Sequence, residues 1–188
     1  FNRHFNGVMT KLDISFNNLT DLSAKELGGC DILIDNIEHL HLAGNQITGS
    51  GLKALLDGWS REKSKLVYLD ISGNNAKEDG AKSIASFISS PHCHLRTLVI
   101  KGNHIKPDGM KCLASALCIN SSLTSLNLSS NSLGDAGAKH LADAISKNNL
   151  KELNIAFNDI TSTGILMLRE SLRQCTALET LNLDNNSI

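Results

Sequence analysis

The sequence is poor in aromatic residues, in proline and in charge of one sign. Aromatic side chains make up 4% of the 188 residues, with one Trp and one Tyr, so the core must be mainly aliphatic. There are two prolines, and 18 basic against 19 acidic residues give a formal net charge of −1. Proteins that bind nucleic acid commonly carry a basic stripe that neutralises phosphates. The lack of such a stripe argues against a nucleic-acid partner.

Long apolar runs and paired cysteines are also missing. No run approaches the roughly 20 residues that a membrane-spanning helix needs, so the sequence predicts no membrane partner. The five cysteines form no CxxC pair and no even framework; they are Cys30, Cys93, Cys112, Cys118 and Cys175. Several lie among apolar helix residues, where Cys acts as a small buried hydrophobe. We therefore expect reduced thiols and a cytoplasmic protein.

One pattern recurs seven times along the chain. Aligned on an asparagine, the copies are MTKLDISFNNL (9–19), IEHLHLAGNQI (37–47), LVYLDISGNNA (66–76), LRTLVIKGNHI (95–105), LTSLNLSSNSL (123–133), LKELNIAFNDI (150–160) and LETLNLDNNSI (178–188). The anchor residues are Asn17, Asn45, Asn74, Asn103, Asn131, Asn158 and Asn186, spaced 27 to 29 residues apart. So regular a register is the signature of a repeat architecture.

Each copy combines a strand pattern with a helix pattern. Two leucines at alternate positions, as in Leu126 and Leu128, point to one side of a short strand. The strands are predicted near residues 9–15, 37–43, 66–72, 95–101, 123–129, 150–156 and 178–184. The anchor Asn follows where the chain turns, and its side chain can satisfy backbone groups that would otherwise be buried unpaired. Helical spacing then takes over, so each unit is a strand, a turn, a helix and a return loop.

The pattern resembles the leucine-rich repeat, L-x-x-L-x-L-x-x-N-x-L, over residues 8 to 188. Its length and helix pattern are similar to the ribonuclease-inhibitor-like subtype, found in NOD-like receptors and Ran GTPase-activating proteins. A glycine six residues after the anchor supports the subtype, at Gly51, Gly80, Gly109, Gly137 and Gly164, whereas the first repeat has Ser23 there. The expected fold is an α/β solenoid. Because parallel strands lie about 4.8 Å apart and packed helices about 8–10 Å, the stack must curve, with the parallel sheet on the concave face and the helices on the convex face.

Strand residues six, four and two positions before each anchor should point into the concavity. The larger and ionisable ones gather in the first four repeats, and we predict a partner-binding patch of His39, His41, Tyr68, Asp70 and Lys101. Tyr68, the only Tyr, is an efficient interface anchor if exposed. The alternative is an ordinary solvated sheet face.

Two groups of side chains raise the question of metal or pH sensing. Asp13, His41 and Asp70 fall in one row on adjacent strands, where two carboxylates would favour the charged imidazole. His39 lies nearby, and PHCH at 91–94 is the other ligand-like cluster. Neither has the spacing of an established metal motif, so we predict no metal site and one buried Cys in that loop.

Three of the large aromatic residues outside the predicted patch bear on its interpretation. Trp59 occupies a helix position that is aliphatic in other repeats, so we expect it in the convex-layer core. Phe16 and Phe157 each precede an anchor, and the sequence leaves their role open.

No Ser/His/Asp or Cys/His grouping for catalysis is evident, and the glycines recur once per repeat rather than in a phosphate-binding loop. We predict a non-enzymatic recognition module or scaffold that binds a protein partner on the concave face, with no catalytic residue and no cofactor. The first alternative is a GTPase-activating protein of the Ran type, which by resemblance would act along the repeat edge and carry an acidic tail. That tail is missing here. The second alternative is the ligand-sensing repeat domain of an innate-immune NOD-like receptor.

Residues 1–188 are expected to form a single repeat array. The seventh copy ends at Ile188, directly after its anchor, and the chain begins close to the first strand. Because solenoids need capping repeats, we expect the chain to be a fragment of a longer protein. The sequence does not determine the oligomeric state.

Overall fold

The computed structural model describes residues 8–188, which form seven parallel strands in one sheet. The strands pair in chain order from β1 to β7. They are β1 Lys11–Asp13, β2 His39–His41, β3 Tyr68–Asp70, β4 Thr97–Val99, β5 Ser125–Asn127, β6 Glu152–Asn154 and β7 Thr180–Asn182. Each predicted strand is present, in the predicted register, as a three-residue segment rather than a seven-residue one.

Pairing between coils does not end with the three-residue strands. Hydrogen bonds between coils continue past β2, from the Leu42 N–H to the Asp70 carbonyl (2.7 Å) and from the Gly44 N–H to the Ser72 carbonyl (2.7 Å). The residue before each anchor then takes a left-handed backbone. This holds in all seven repeats, at Phe16, Gly44, Gly73, Gly102, Ser130, Phe157 and Asn185.

A helix follows each of the first six strands, and a short extra helix lies in the first return segment. The helices are α1 Asp21–Gly28, α2 Asp31–Ile34, α3 Gly49–Trp59, α4 Lys77–Ile88, α5 Lys106–Leu117, α6 Gly134–Ile145 and α7 Ser162–Gln174. The four-residue α2 was not predicted. Among the described helices, none combines the length and the apolar composition needed to cross a bilayer.

The core lies between the sheet and the helices. The middle leucine of each internal strand is at most 3% exposed: Leu40, Leu69, Leu98, Leu126 and Leu153. Trp59 is completely buried, and its Nε1–H donates to the Leu27 carbonyl at 3.3 Å. This confirms its predicted place in the convex layer.

The recurrent glycine after each anchor allows neighbouring coils to pack closely. None of the five takes a left-handed φ. A Cβ added to Gly51 would lie 2.8 Å from Asp21 Cα, and one added to Gly109 would lie 3.0 Å from Ala81 Cβ. At Gly80 and Gly137 an added Cβ would instead lie 2.5 Å from Ala76 Cβ and 2.7 Å from Leu133 Cβ of the same coil. Close contacts within and between coils, rather than a special turn, therefore explain why glycine recurs at this position.

The anchor asparagines connect successive coils, and we call the seven of them the asparagine ladder. The Asn103 Nδ2 donates to the Ile71 carbonyl of the preceding coil at 2.8 Å and to the Ile100 carbonyl of its own coil at 3.2 Å. Its Oδ1 accepts from the Ala76 N–H at 3.2 Å. Asn103 is fully buried, whereas Asn17 in the first coil is exposed. Within residues 8–188 the Asn17 amide donates to its own coil, at the Ile14 and Ser15 carbonyls.

A second set of side-chain hydrogen bonds, at the start of the helices, joins the first coil to the second and the fifth coil to the sixth. The Thr48 N–H and hydroxyl donate to the two Asp21 carboxylate oxygens at 2.7 and 2.6 Å. Thr161 donates in the same way to Asp135, at 2.8 and 2.7 Å. These two threonines also cap α3 and α7.

The middle coils use the backbone instead at this position. Lys77, Lys106 and Gly134 replace the threonine and adopt left-handed φ angles of 54°, 59° and 56°. Their N–H groups donate to the carbonyls of the next anchors, Asn103 (2.9 Å), Asn131 (3.0 Å) and Asn158 (2.8 Å). The link between these coils is therefore independent of the side chain.

We expect Asn103→Ala to lower the free energy of unfolding by about 2–4 kcal/mol, because it leaves buried backbone groups without partners. Asn17→Ala, at the same repeat position in an exposed site, should cost less than about 1 kcal/mol. Urea denaturation followed by circular dichroism measures both. Equal losses of stability in the two variants would contradict the role of the asparagine ladder in joining coils.

The Asp135 contact predicts an acid-sensitive contribution to stability. The Thr161 N–H and hydroxyl hold the pKa of Asp135 below its ordinary value. The stabilisation should therefore be complete above the unfolded-state pKa of about 3.9 and disappear as pH falls through the lowered folded-state pKa. Asp135→Asn should lower the melting temperature at neutral pH, by an amount that shrinks on acidification. Asp143→Asn, on the exposed side of the same helix, is the matched control and should change the melting temperature at neutral pH by less.

Candidate functional site

The predicted residues lie on adjacent strands of the concave face. His39 and His41 belong to β2, and Tyr68 and Asp70 belong to β3, with His39 paired to Tyr68 and His41 to Asp70. Lys101 follows β4 and is exposed, whereas the other four are half-buried. We call these five residues the concave patch.

Three rings form the centre of the concave patch. The Tyr68 ring lies 5.6 Å from His39, nearly parallel at 26°, and 4.7 Å from His41 at 33°. Burial raises the pKa of Tyr68, and the Asp70 and Asp13 carboxylates add to the effect. Its hydroxyl therefore stays protonated at neutral pH and can donate a hydrogen bond to a bound partner.

The carboxylates beside the rings are held by their own strands. The Asp70 Oδ1 accepts from the Ser72 N–H (2.9 Å) and hydroxyl (2.6 Å). The Asp13 Oδ1 accepts from the Ser15 N–H at 3.1 Å, and this bond is the main reason that the pKa of Asp13 is lowered, with His41 contributing less. None of the ion pairs within residues 8–188 includes His41. The proposed pH-sensitive triad stays a prediction.

The return loop with PHCH has the geometry of a structural loop. Cys93 is 8% exposed, and burial raises the pKa of its thiol. His92 and His94 on either side are exposed. Within the described part of the chain, no three His, Cys, Asp or Glu side chains are grouped so as to hold a metal ion.

A cationic surface that the sequence prediction missed lies at the strand-to-helix edge of the third and fourth repeats. Lys77, His104 and Lys106, here called the basic edge, line a depression of about 520 Å³. All three are exposed, with left-handed φ angles of 54°, 57° and 59°. The signal was available in the sequence, because lysine occupies a position that holds threonine or glycine in other repeats.

The two phenylalanines that the sequence left open are exposed. Phe16 is 84% and Phe157 is 54% solvent-accessible, and both have left-handed φ angles, of 54° and 55°. They follow strands β1 and β6, and the Phe16 N–H donates to the Ala43 carbonyl of the second repeat at 2.7 Å.

Comparison with known proteins establishes the family. A family model described as Leucine Rich repeat matches residues 6–28, 36–56, 92–114, 120–142 and 146–168. These segments cover more than half of the sequence, and the chain belongs to the leucine-rich repeat family. A search of curated proteins found no match.

Two solved structures share the fold at low sequence identity. One is Leiomodin-1 Actin-Binding Site 2 (ABS2); it is 16% identical, with a TM-score of 0.61 over 68% of this chain and 76% of that one. The other is the tropomodulin C-terminal domain from Caenorhabditis elegans, also 16% identical, with a TM-score of 0.59 over 82% of this chain and 92% of that one. At this identity the likeness concerns the fold alone.

The ring cluster can be tested in solution. Tyr68→Ala should shift the imidazole proton resonances of His39 and His41, because it removes the ring current of the tyrosine, while His94 in the return loop stays unchanged. The substitution should alter the free energy of unfolding by less than about 1 kcal/mol, since the side chain is only half-buried. Unmoved His39 and His41 signals would contradict the arrangement.

Proposed function

We propose that this chain is a non-enzymatic protein-recognition module that binds its partner through the concave patch. The family membership and the parallel sheet support a binding role, since repeat solenoids present extended concave surfaces. The observation that carries the proposal is the packing of Tyr68 against two histidine rings of the neighbouring strand, with Asp70 beside them.

The concave patch has the composition of a protein interface. A tyrosine supplies a large contact area with few rotatable bonds, and aromatic residues are enriched at the energetic centres of interfaces. Asp70 is already oriented by Ser72, so its carboxylate would lose little side-chain entropy on binding. The corresponding positions of β6 carry Glu152 and Asn154, without an aromatic group.

Actin is the first partner to test. The leiomodin-1 structure is of an actin-binding site, and it shares this fold. The two alternatives from the sequence, a Ran-type GTPase-activating protein and a receptor sensor domain, have no support beyond the repeat itself. Unchanged GTP hydrolysis by a panel of small GTPases in the presence of the chain would dispose of the first alternative.

The decisive experiment compares two matched double variants. Tyr68→Ala/Asp70→Ala removes the centre of the concave patch, and Glu152→Ala/Asn154→Ala removes the equivalent positions on β6. Affinity capture from lysate, with purified actin filaments assayed in parallel by co-sedimentation, should yield a partner whose affinity falls by at least about tenfold in the first variant only.

A partner retained equally by both variants would overturn the concave patch as the binding site. Loss in the β6 variant alone would place recognition in the C-terminal half of the sheet. Circular dichroism on both variants checks that neither loses the fold.

A further inference from the structure

The basic edge is a cationic surface beside the concave patch rather than part of it. Lys77 begins α4 and Lys106 begins α5, one coil apart, and His104 lies in the loop between the anchor Asn103 and Lys106. The three side chains line the same depression, and residues 101–106 connect it along the chain to Lys101 of the concave patch.

The two acidic residues in this depression share one lysine. Glu78 and Asp79 also line it, but the Lys82 Nζ lies 2.8 Å from the Glu78 carboxylate and 3.4 Å from that of Asp79. Among the ion pairs within residues 8–188, none includes Lys77, His104 or Lys106. With Lys82 counted, three lysines stand against two carboxylates, so this surface keeps a net positive charge that can attract an acidic partner.

Folding does not account for lysine at these two positions. The left-handed backbone suits glycine, which the fifth repeat has as Gly134, and it is unfavourable for a side chain with a Cβ. A cation in the first turn also opposes the helix dipole. The contact made between coils here is donated by the backbone N–H, so any residue except proline would supply it.

We propose that the basic edge binds an acidic, extended segment of the protein partner, with carboxylates at alternate residues. The inference deepens the proposed recognition function and rests on it. Alternate side chains of an extended chain are about 6.8 Å apart. Adjacent coils are about 4.8 Å apart at the sheet and about 8–10 Å apart at the helices. The spacing at the edge between the two layers should be intermediate, and therefore close to the spacing of alternate side chains in the peptide.

A polypeptide fits this surface better than a nucleic acid does. The whole chain has a net charge of −1, and the neighbouring concave rows carry Asp13, Asp70, Glu152 and Asp184. A polyphosphate backbone extending across the sheet would be repelled by these carboxylates. A short acidic segment would contact the basic edge alone.

The probe is a fluorescein-labelled peptide of alternating Glu and Ser, measured by fluorescence anisotropy at low ionic strength beside its Gln–Ser counterpart. The test variant is Lys77→Gly/Lys106→Gly, which suits the backbone and should be at least as stable as the wild type. The matched control is Lys63→Gln/Lys65→Gln, which removes two exposed lysines from the return-loop edge.

The wild type should bind the Glu–Ser peptide and not the Gln–Ser peptide, and Lys77→Gly/Lys106→Gly should weaken binding by about tenfold. The control should bind as the wild type does. Absence of binding, equal binding by the test variant, or tighter binding of oligouridine RNA would each overturn the proposal. Tyr68→Ala/Asp70→Ala should still bind the peptide, which separates failure of the edge from failure of the concave patch.

Discussion

The fold depends on pairing the backbone polar groups that each coil buries where it leaves the sheet. A chain that turns inside a stack exposes N–H and carbonyl groups to its neighbours rather than to water, and leaving them unpaired is costly. The asparagine ladder solves this with one side chain per coil: from Asn45 onward, each amide donates to carbonyls of two coils and accepts from the backbone of the preceding coil. The aliphatic core and the curved sheet rest on this repeated contact.

Because the ladder and the leucines point inward, the outward positions contribute little to folding and can be devoted to a partner. The concave patch and the basic edge use two different sets of such positions. In the first set, rings and carboxylates are oriented by their strand neighbours. In the second set, cations extend from turns whose contacts are made by the main chain alone. Adjacent surfaces of different chemistry could then recognise two features of one protein.

Much of this structure was predictable because every repeat has the same sequence pattern and therefore the same order of strand, turn and helix. Periodicity predicts the strands, their order, the anchors and the buried Trp59, and alternation along the strands predicts that His39, Tyr68 and His41 share a face. The ring distances and the orientation of Asp70 toward Ser72 depend on rotamers, about which a periodic pattern carries no information. The basic edge was not predicted because a lysine in a turn is commonly a solvated residue, and the left-handed backbone at these positions is seen only in the structure. The extra helix α2 lies in the first return segment, and no other return segment within residues 8–188 contains a helix.

The two ways of joining coils at the start of the helices have a consequence for how such a protein can change. Where Thr48 and Thr161 tie their coils to aspartates, a substitution at either partner breaks a structural contact. Where Lys77 and Lys106 stand, the same junction is closed by the main chain, so its hydrogen bond does not depend on the side chain. Mutations in the middle coils can therefore alter what the surface recognises without loss of the scaffold. The third and fourth repeats are accordingly the place where a new specificity could be selected or engineered in this molecule.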